Sequence, residues 1–90
     1  MNNVDETLRQ RGLRYGSYSD VSELTVELFG AISEKMEGRQ EFEPYHIEAL
    51  HMICNKIARA VCGDPMYADN WHDIAGYAKL VENEIEAAKV

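Results

Sequence analysis

The chain has 90 residues, of which 46% are hydrophobic, and a formal net charge of −7 at pH 7. This length and composition predict a single folded domain over residues 1–90 with an adequate hydrophobic core. The acidic balance argues against general nucleic-acid binding, which needs basic residues that neutralise phosphates. No apolar run approaches the roughly 20 residues of a membrane-spanning helix, and no signal segment is visible, so we expect a cytoplasmic protein without membrane contact.

The hydrophobic spacing is helical almost throughout and predicts about four helices. The first covers about residues 4–11 and ends at Gly12, after which GLRYGSYS is expected to form an ordered loop. Ser19 or Asp20 caps a second helix that runs to about residue 37. Its apolar residues share one face: Val21, Leu24, Leu28 and Ile32.

The third helix is predicted over residues 44–62, with Pro44 in its first turn and Gly63 just past its end. Its apolar seam consists of Ile47, Leu50, Cys54, Ile57 and Val61. Met52 and Ile53 lie well outside this seam, so the helix is apolar on most sides. Such a helix is either the centre of the bundle or shared with a second subunit, and we expect a homo-oligomer.

The fourth helix is expected to start near Asp69 or Asn70 and to continue almost to the end of the chain. Its apolar side consists of Trp71, Ile74, Ala78, Val81 and Ile85. On this assignment Trp71 anchors the core and His72 is a solvated surface residue. The fold class is therefore all-α, a small bundle completed by self-association.

The two cysteines, Cys54 and Cys62, fall on one predicted helix about 12 Å apart, which is too far for a disulfide. We expect reduced, packed thiols, as is usual in the cytosol. The cysteines and histidines do not have the paired spacing of a zinc site, and neither thiol has an adjacent base that would make it a nucleophile.

Two stretches of this acidic chain contain no Asp or Glu. Residues 8–18 carry arginines and tyrosines, and residues 49–63 carry Lys56 and Arg59. Arginine and lysine bind phosphate oxygens, and tyrosine offers a face on which a base can stack. The alternatives are a packed connector and an ordinary solvated helix face. The candidate ligand-binding residues are Arg14, Tyr15, Tyr18, Lys56, Arg59 and Tyr77.

A second pattern pairs polar residues on the third and fourth helices. Glu48 and His51 are three positions apart, as are Asn70 and Asp73. This pattern resembles the E-x-x-E and E-x-x-D motif of the all-α nucleoside triphosphate pyrophosphohydrolases of the MazG type, whose carboxylates hold magnesium against the substrate phosphates. Glu48 and Asp73 match that motif, whereas His51 and Asn70 replace two of its acids. The resemblance implies Mg²⁺ as a cofactor, held by Glu48 and Asp73.

A longer resemblance covers nearly the whole chain in three blocks, VDETLRQRGLRYGSY, EALHMICNKIARAVCGDP and WHDIAGYAKLVE. Together they resemble a family of small, mostly phage-encoded helical proteins with a distant MazG-like character. The resemblance implies a phage or prophage origin, a helical fold and a location in the host cytoplasm. It implies no established activity.

Three functions remain open at this point. In the preferred one, the protein binds a nucleotide or nucleotide-derived signal without turning it over, for counter-defence or nucleotide management. In the second, it is a divergent magnesium-dependent pyrophosphohydrolase, with the metal activating water. In the third, its acidic surface docks on a basic host defence protein and inhibits it, as an anti-CRISPR protein would.

Overall fold

The computed structural model describes residues 3–89, which form four α-helices and no strand. The helices are α1 (Asn3–Tyr15), α2 (Tyr18–Met36), α3 (Pro44–Cys62) and α4 (Ala68–Ala88). The predicted all-α bundle is therefore confirmed, and the predicted bounds of α3 are correct. Pro44 occupies the first turn of α3, and the Gly63 amide donates to the Arg59 carbonyl at its C-terminal end.

The third helix is the centre of the molecule, because it contacts all three other helices while α4 contacts α3 alone. Two buried arcs run along α3. Cys54 and Ala58 lie on the arc towards α2, and Lys56 and Ala60 lie on the arc towards α4. At 100° per residue the centres of these arcs are about 160° apart, so α2 and α4 flank α3 on opposite sides in one layer.

Small side chains let the helices of this layer approach closely. Three of the five fully buried apolar residues are alanines of α3, and the remaining two are Val21 and Cys54. Such side chains allow short distances between helix axes but contribute little apolar area each. The buried core of the described chain is consequently thin.

The junction between α1 and α2 differs from the prediction. The first helix continues through Gly12 to Tyr15, and it ends at Gly16, whose φ is +89°. Glycine inside a helix costs only about 1 kcal/mol, whereas a positive φ strongly favours glycine, so Gly16 and not Gly12 ends the helix. Ser17 caps α2, and its Oγ accepts from the Asp20 amide at 3.1 Å. The predicted loop and the predicted cap at Ser19 or Asp20 are therefore wrong.

This junction is pressed against the C-terminal end of α3. A Cβ atom on Gly16 would lie 2.5 Å from the Cys62 carbonyl oxygen, and one on Gly63 would clash with the Arg14 carbonyl oxygen. The Asp64 amide donates to that same Arg14 carbonyl at 2.9 Å. The two glycines thus hold the end of α1 beside the last turn of α3.

The face that α4 turns to α3 is also different from the predicted one. Trp71 is 54% exposed and donates its Nε1–H to the Pro65 carbonyl at 2.9 Å, whereas the neighbouring Asn70 is 1% exposed. The assignment of Trp71 as a core anchor is therefore wrong. Because α4 packs on a single helix, only a narrow stripe is covered, and that stripe is centred on Asn70, Ile74, Tyr77 and Val81.

The chain is extended rather than spherical. Its Cα radius of gyration is 15.4 Å and its dimensions are 52 × 27 × 24 Å. A compact domain of this length has a radius of gyration of about 12 Å. None of the helices in the described part is both long and apolar enough to cross a membrane.

Candidate anion-binding cleft

A cleft of about 500 Å³ opens between α1, α2 and α3 on one side of the layer. None of the residues lining it is Asp or Glu, although the chain contains 16 acidic residues. The cationic, aromatic and amide side chains that line it are Arg11, Tyr15, Tyr18, His51, Asn55 and Arg59, and hydroxyl groups come from Ser17, Ser22 and Thr25. The cleft therefore presents two cationic side chains within an acidic protein, a composition that favours an anionic ligand.

The guanidinium groups of two arginines contact the aromatic ring of Tyr15. The guanidinium carbon of Arg59 lies 4.5 Å from the centre of the Tyr15 ring, and that of Arg11 lies 5.1 Å from it. Since both guanidinium groups rest on one ring through cation–π contacts, they lie within about 10 Å of each other. Across residues 3–89 neither guanidinium forms an ion pair.

Local structure explains this arrangement. Arg11 and Tyr15 are one turn apart on α1, so their side chains share a face of that helix. Arg59 comes from the last turn of α3, which is held against the end of α1 because Gly16 lies against Cys62 and Gly63 lies against Arg14 and Tyr15. The three side chains are thereby positioned by the close backbone approach of two helix ends.

The N-terminal end of α2 forms another part of the cleft wall. Ser17 and Tyr18 line the cleft there, and Tyr18 is 87% exposed. The first amide groups of a helix have no carbonyl acceptor within it, and the helix dipole places partial positive charge at the same end. The Asp20 carboxylate in the first turn of α2 offsets part of that charge, and the exposed Tyr18 ring is free to stack on a planar group.

Hydrogen-bonded polar side chains form the floor of the cleft between α2 and α3. The buried Thr25 hydroxyl donates to the Val21 carbonyl at 2.7 Å, and Asn55 Nδ2 donates to Thr25 Oγ1 at 3.5 Å. The exposed His51 packs edge-on against Phe29 at 5.1 Å between ring centres. Because Thr25 donates to the backbone, its oxygen acts as an acceptor towards α3.

Arg14, which the sequence placed among the ligand-binding residues, lies outside the cleft. Its guanidinium sits 5.3 Å from the centre of the Tyr67 ring, and its Nη1 donates to the Tyr67 hydroxyl at 3.5 Å. That hydroxyl donates to Asp69 Oδ2 at 3.0 Å, a hydrogen bond that raises the pKa of Tyr67. Arg14 thus joins the end of α1 to the start of α4.

Lys56 also lies away from the cleft, in the contact between α3 and α4. Its Nζ is 3.1 Å from Asp73 Oδ2, and its side chain is 10% exposed while that of Asp73 is 42% exposed. This ion pair disfavours the magnesium site expected at Glu48 and Asp73, because the Lys56 ammonium group next to the Asp73 carboxylate repels a divalent cation. In residues 3–89 no three His, Cys, Asp or Glu side chains are grouped to hold a metal ion.

Glu48 is exposed on α3, eight positions before Lys56, which is about 12 Å along the helix axis. Asn70, which corresponds to an acid in the pyrophosphohydrolase motif, is buried against α3 with no hydrogen-bond partner for its Nδ2 in the described chain. These residues fit a magnesium ion poorly, and we derive no metal-dependent step from them. The magnesium site stays a prediction from the sequence.

Tyr77 lines a separate, shallower recess on α4 together with His72, Asp73 and Lys79. The structure thus brings together Tyr15, Tyr18 and Arg59 of the predicted ligand-binding residues. It places the other three elsewhere: Arg14, Lys56 and Tyr77.

Arg11 was not among the predicted ligand-binding residues. The signal that could have identified it is its spacing, since Arg11 and Tyr15 are four positions apart. The sequence-based prediction ended α1 at Gly12, so it left Tyr15 outside the helix and did not place the two residues on one helix face.

Comparison with family models, with curated proteins and with solved structures gave no match to this chain.

Proposed function

We propose that this protein binds a nucleotide or a nucleotide-derived signal in the cleft between α1, α2 and α3, without turning it over. The observation that carries the proposal is the pair of unpaired guanidinium groups on the Tyr15 ring, in a cleft that contains no acidic residue. The volume of about 500 Å³ falls within the range of small-molecule sites.

Each part of a nucleotide has a matching group in the cleft. Phosphate oxygens accept hydrogen bonds from Arg11 and Arg59, and a charged hydrogen bond of this kind contributes about 1.5–3 kcal/mol. The exposed Tyr18 ring stacks on the base, which contributes about 1–3 kcal/mol. The first amides of α2, apart from the Asp20 amide that already donates to Ser17 Oγ, add donors for a second anionic oxygen.

The same composition favours binding over turnover. Hydrolysis of a triphosphate requires a group that activates water, either a general base or a metal held by carboxylates. The cleft offers no carboxylate, and the two acids of the pyrophosphohydrolase-like pattern do not line it. A protein that only binds acts by lowering the free concentration of its ligand, which would serve a phage in counter-defence or nucleotide management.

The experiment is a thermal-shift screen of nucleoside mono-, di- and triphosphates and of cyclic mono- and dinucleotides, in Mg²⁺ and in EDTA. A ligand present at 100 times its dissociation constant stabilises the protein by about 2.7 kcal/mol. We expect at least one compound to raise the melting temperature in EDTA and to be recovered chemically unchanged. No stabilisation by any compound, or release of pyrophosphate, would contradict the proposal.

Three variants locate the site by calorimetric titration of the compound that binds. Arg59→Ala should weaken binding by roughly 10- to 150-fold and Tyr18→Ala by roughly 5- to 150-fold. Arg9→Ala is the matched control, because Arg9 is also an arginine of α1 but pairs with Glu6 at 2.9 Å outside the cleft. Equal losses in Arg9→Ala and Arg59→Ala would mean that charge alone, and not the cleft, attracts the ligand.

A further inference from the structure

The side of the helix layer opposite the cleft carries an exposed apolar surface. We call it the apolar face and define it by six residues: Leu50, Ile57 and Val61 of α3 and Trp71, Ala78 and Ile85 of α4. Val61 is 69% exposed, Trp71 54%, Ile57 37% and Ile85 36%. None of the six is charged, in a chain that carries 25 charged side chains in total (9 basic and 16 acidic).

The position of this face on α3 follows from helix geometry. Leu50, Ile57 and Val61 lie within about 40° of one another, between the arc buried against α2 and the arc buried against α4. Arg59 and Asn55, which line the cleft, lie on the opposite side of the same helix. The third helix therefore presents the cleft on one side and an apolar strip on the other.

The fourth helix extends the strip. Around the axis of α3, Lys56 is about 60° from Arg59, which lines the cleft, and about 100° from Ile57, which belongs to the apolar face. The ion pair between Lys56 and Asp73 therefore lies on the cleft side of the contact between α3 and α4. Trp71, Ala78 and Ile85 lie on the other flank of the stripe that α4 turns to α3. The apolar residues of both helices thus form one continuous surface.

The accessible area shows how much surface the single chain leaves open. It totals 6580 Å² for a chain of 10.3 kDa. A compact monomer of that mass exposes roughly 5,400 Å², so the excess is about 1,200 Å². This excess is spread over the whole elongated chain, and a stable interface, which covers about 800 Å² on each partner, equals about two thirds of it.

We infer that two copies of this chain pair through their apolar faces, with α3 of one protomer against α3 of its partner. The pairing is isologous, because the same patch meets itself around a two-fold axis. It buries Trp71 and Val61 and leaves each cleft on the outside of the dimer. Glu82 borders the apolar face, about 20° from Trp71 around α4, and its carboxylate is paired with Lys79 at 2.7 Å. Repulsion between exposed acidic residues at the rim is screened by salt.

The test measures the mass of the purified full chain by sedimentation equilibrium. We expect twice the 10.3 kDa chain mass for the natural sequence and the single-chain mass for Val61→Glu. Val26→Glu is the matched control, since Val26 is 70% exposed against 69% for Val61 but lies on the cleft side. This control should remain a dimer.

Trp71 supplies a second measurement that needs no variant, because it is the single tryptophan of the chain. We expect its emission to shift to longer wavelength, and its quenching by iodide to increase, as the protein is diluted and the dimer dissociates. A natural chain that is monomeric at high micromolar concentration would overturn the inference and leave the face to a different protein. Dissociation by Val26→Glu in place of Val61→Glu would also overturn it.

Discussion

Lys56 carries a positive charge into the contact between α3 and α4, where only 8% of the residue is exposed. Its single ionic partner in the described chain is Asp73, at 3.1 Å. An ammonium group in such a position is tolerated because the carboxylate compensates for the water it has lost. Lys56 therefore stabilises one arrangement of the two helices, and its charge is not available to a ligand in the cleft.

Removing the two partners should have unequal effects. Asp73→Asn leaves the Lys56 ammonium buried without its counter-ion and should lower the free energy of unfolding by about 1–3 kcal/mol, less than for a fully buried pair because Asp73 is half-exposed. Lys56→Met retains the packing of the stem and removes the charge, so it should change that free energy by less than about 1 kcal/mol.

Urea denaturation of both variants measures these changes, with Glu84→Gln, at an exposed acidic residue of α4, as the neutral control. If Glu48 and Asp73 instead repel each other at an empty metal site, Asp73→Asn would stabilise the metal-free protein, and that outcome would contradict the ion-pair assignment.

The sequence could propose Lys56, Arg59 and Tyr15 as candidates, because charge and residue type are visible in it. It could not separate Lys56 from Arg59, which are three positions apart on one helix and lie about 60° apart around its axis. Only the packing of α4 decides that one is covered and the other lines the cleft. The ring of Tyr15 likewise contacts both Arg11 and Arg59 only because α1 packs against α3.

At the scale of helices, the end of α1 is the element that builds the cleft. Gly16 adopts a positive φ, and its Cα faces the Cys62 carbonyl so closely that no Cβ fits. Gly30, in the middle of α2, has no heavy atom within 4 Å of the position a Cβ would take. The same substitution at these two glycines should therefore act in opposite directions.

Gly16→Ala should lower the free energy of unfolding by more than about 2 kcal/mol, through backbone strain and the clash with Cys62. Gly30→Ala should raise it by about 0.5–1 kcal/mol, because alanine is the better helix former. Thermal unfolding followed by circular dichroism measures both. Equal effects of the two substitutions would mean that the approach of α1 to α3 is not as close as the structure has it.

Helix α3 could be predicted to the residue, because Pro44 and Gly63 mark its ends in the sequence. The end of α1 could not be predicted, because Gly12 and Gly16 are the same residue type and only the structure shows which of them has a positive φ. For α4 the helical period was correct and the direction of the buried face was not. Periodicity gives the existence of an apolar side, and the neighbouring helix determines which part of it is covered.

The whole molecule is a single layer of three helices with α1 across one end, and its fully buried apolar residues are few and mostly small. A thin core of this kind contributes limited stability to an isolated chain. If the apolar faces pair as inferred, folding and association are coupled, and stability then depends on protein concentration.

Melting temperatures measured over a wide concentration range test this coupling. A tenfold increase in concentration contributes about 1.4 kcal/mol to a dimer, which should raise the melting temperature by roughly 3–5 °C. Val61→Glu should melt at a lower temperature that is the same at every concentration. A natural chain whose melting temperature is also constant would indicate that the single layer is stable alone.

The helical class, the number of helices and the presence of an apolar side on each long helix can all be read from the amino-acid sequence. These properties follow from local spacing, because every turn of a helix repeats the same geometry. The tertiary structure decided which apolar residues are covered, which cations are paired and where a cleft opens. Those outcomes depend on distances between helices, and a pattern within one helix carries no information about its neighbours.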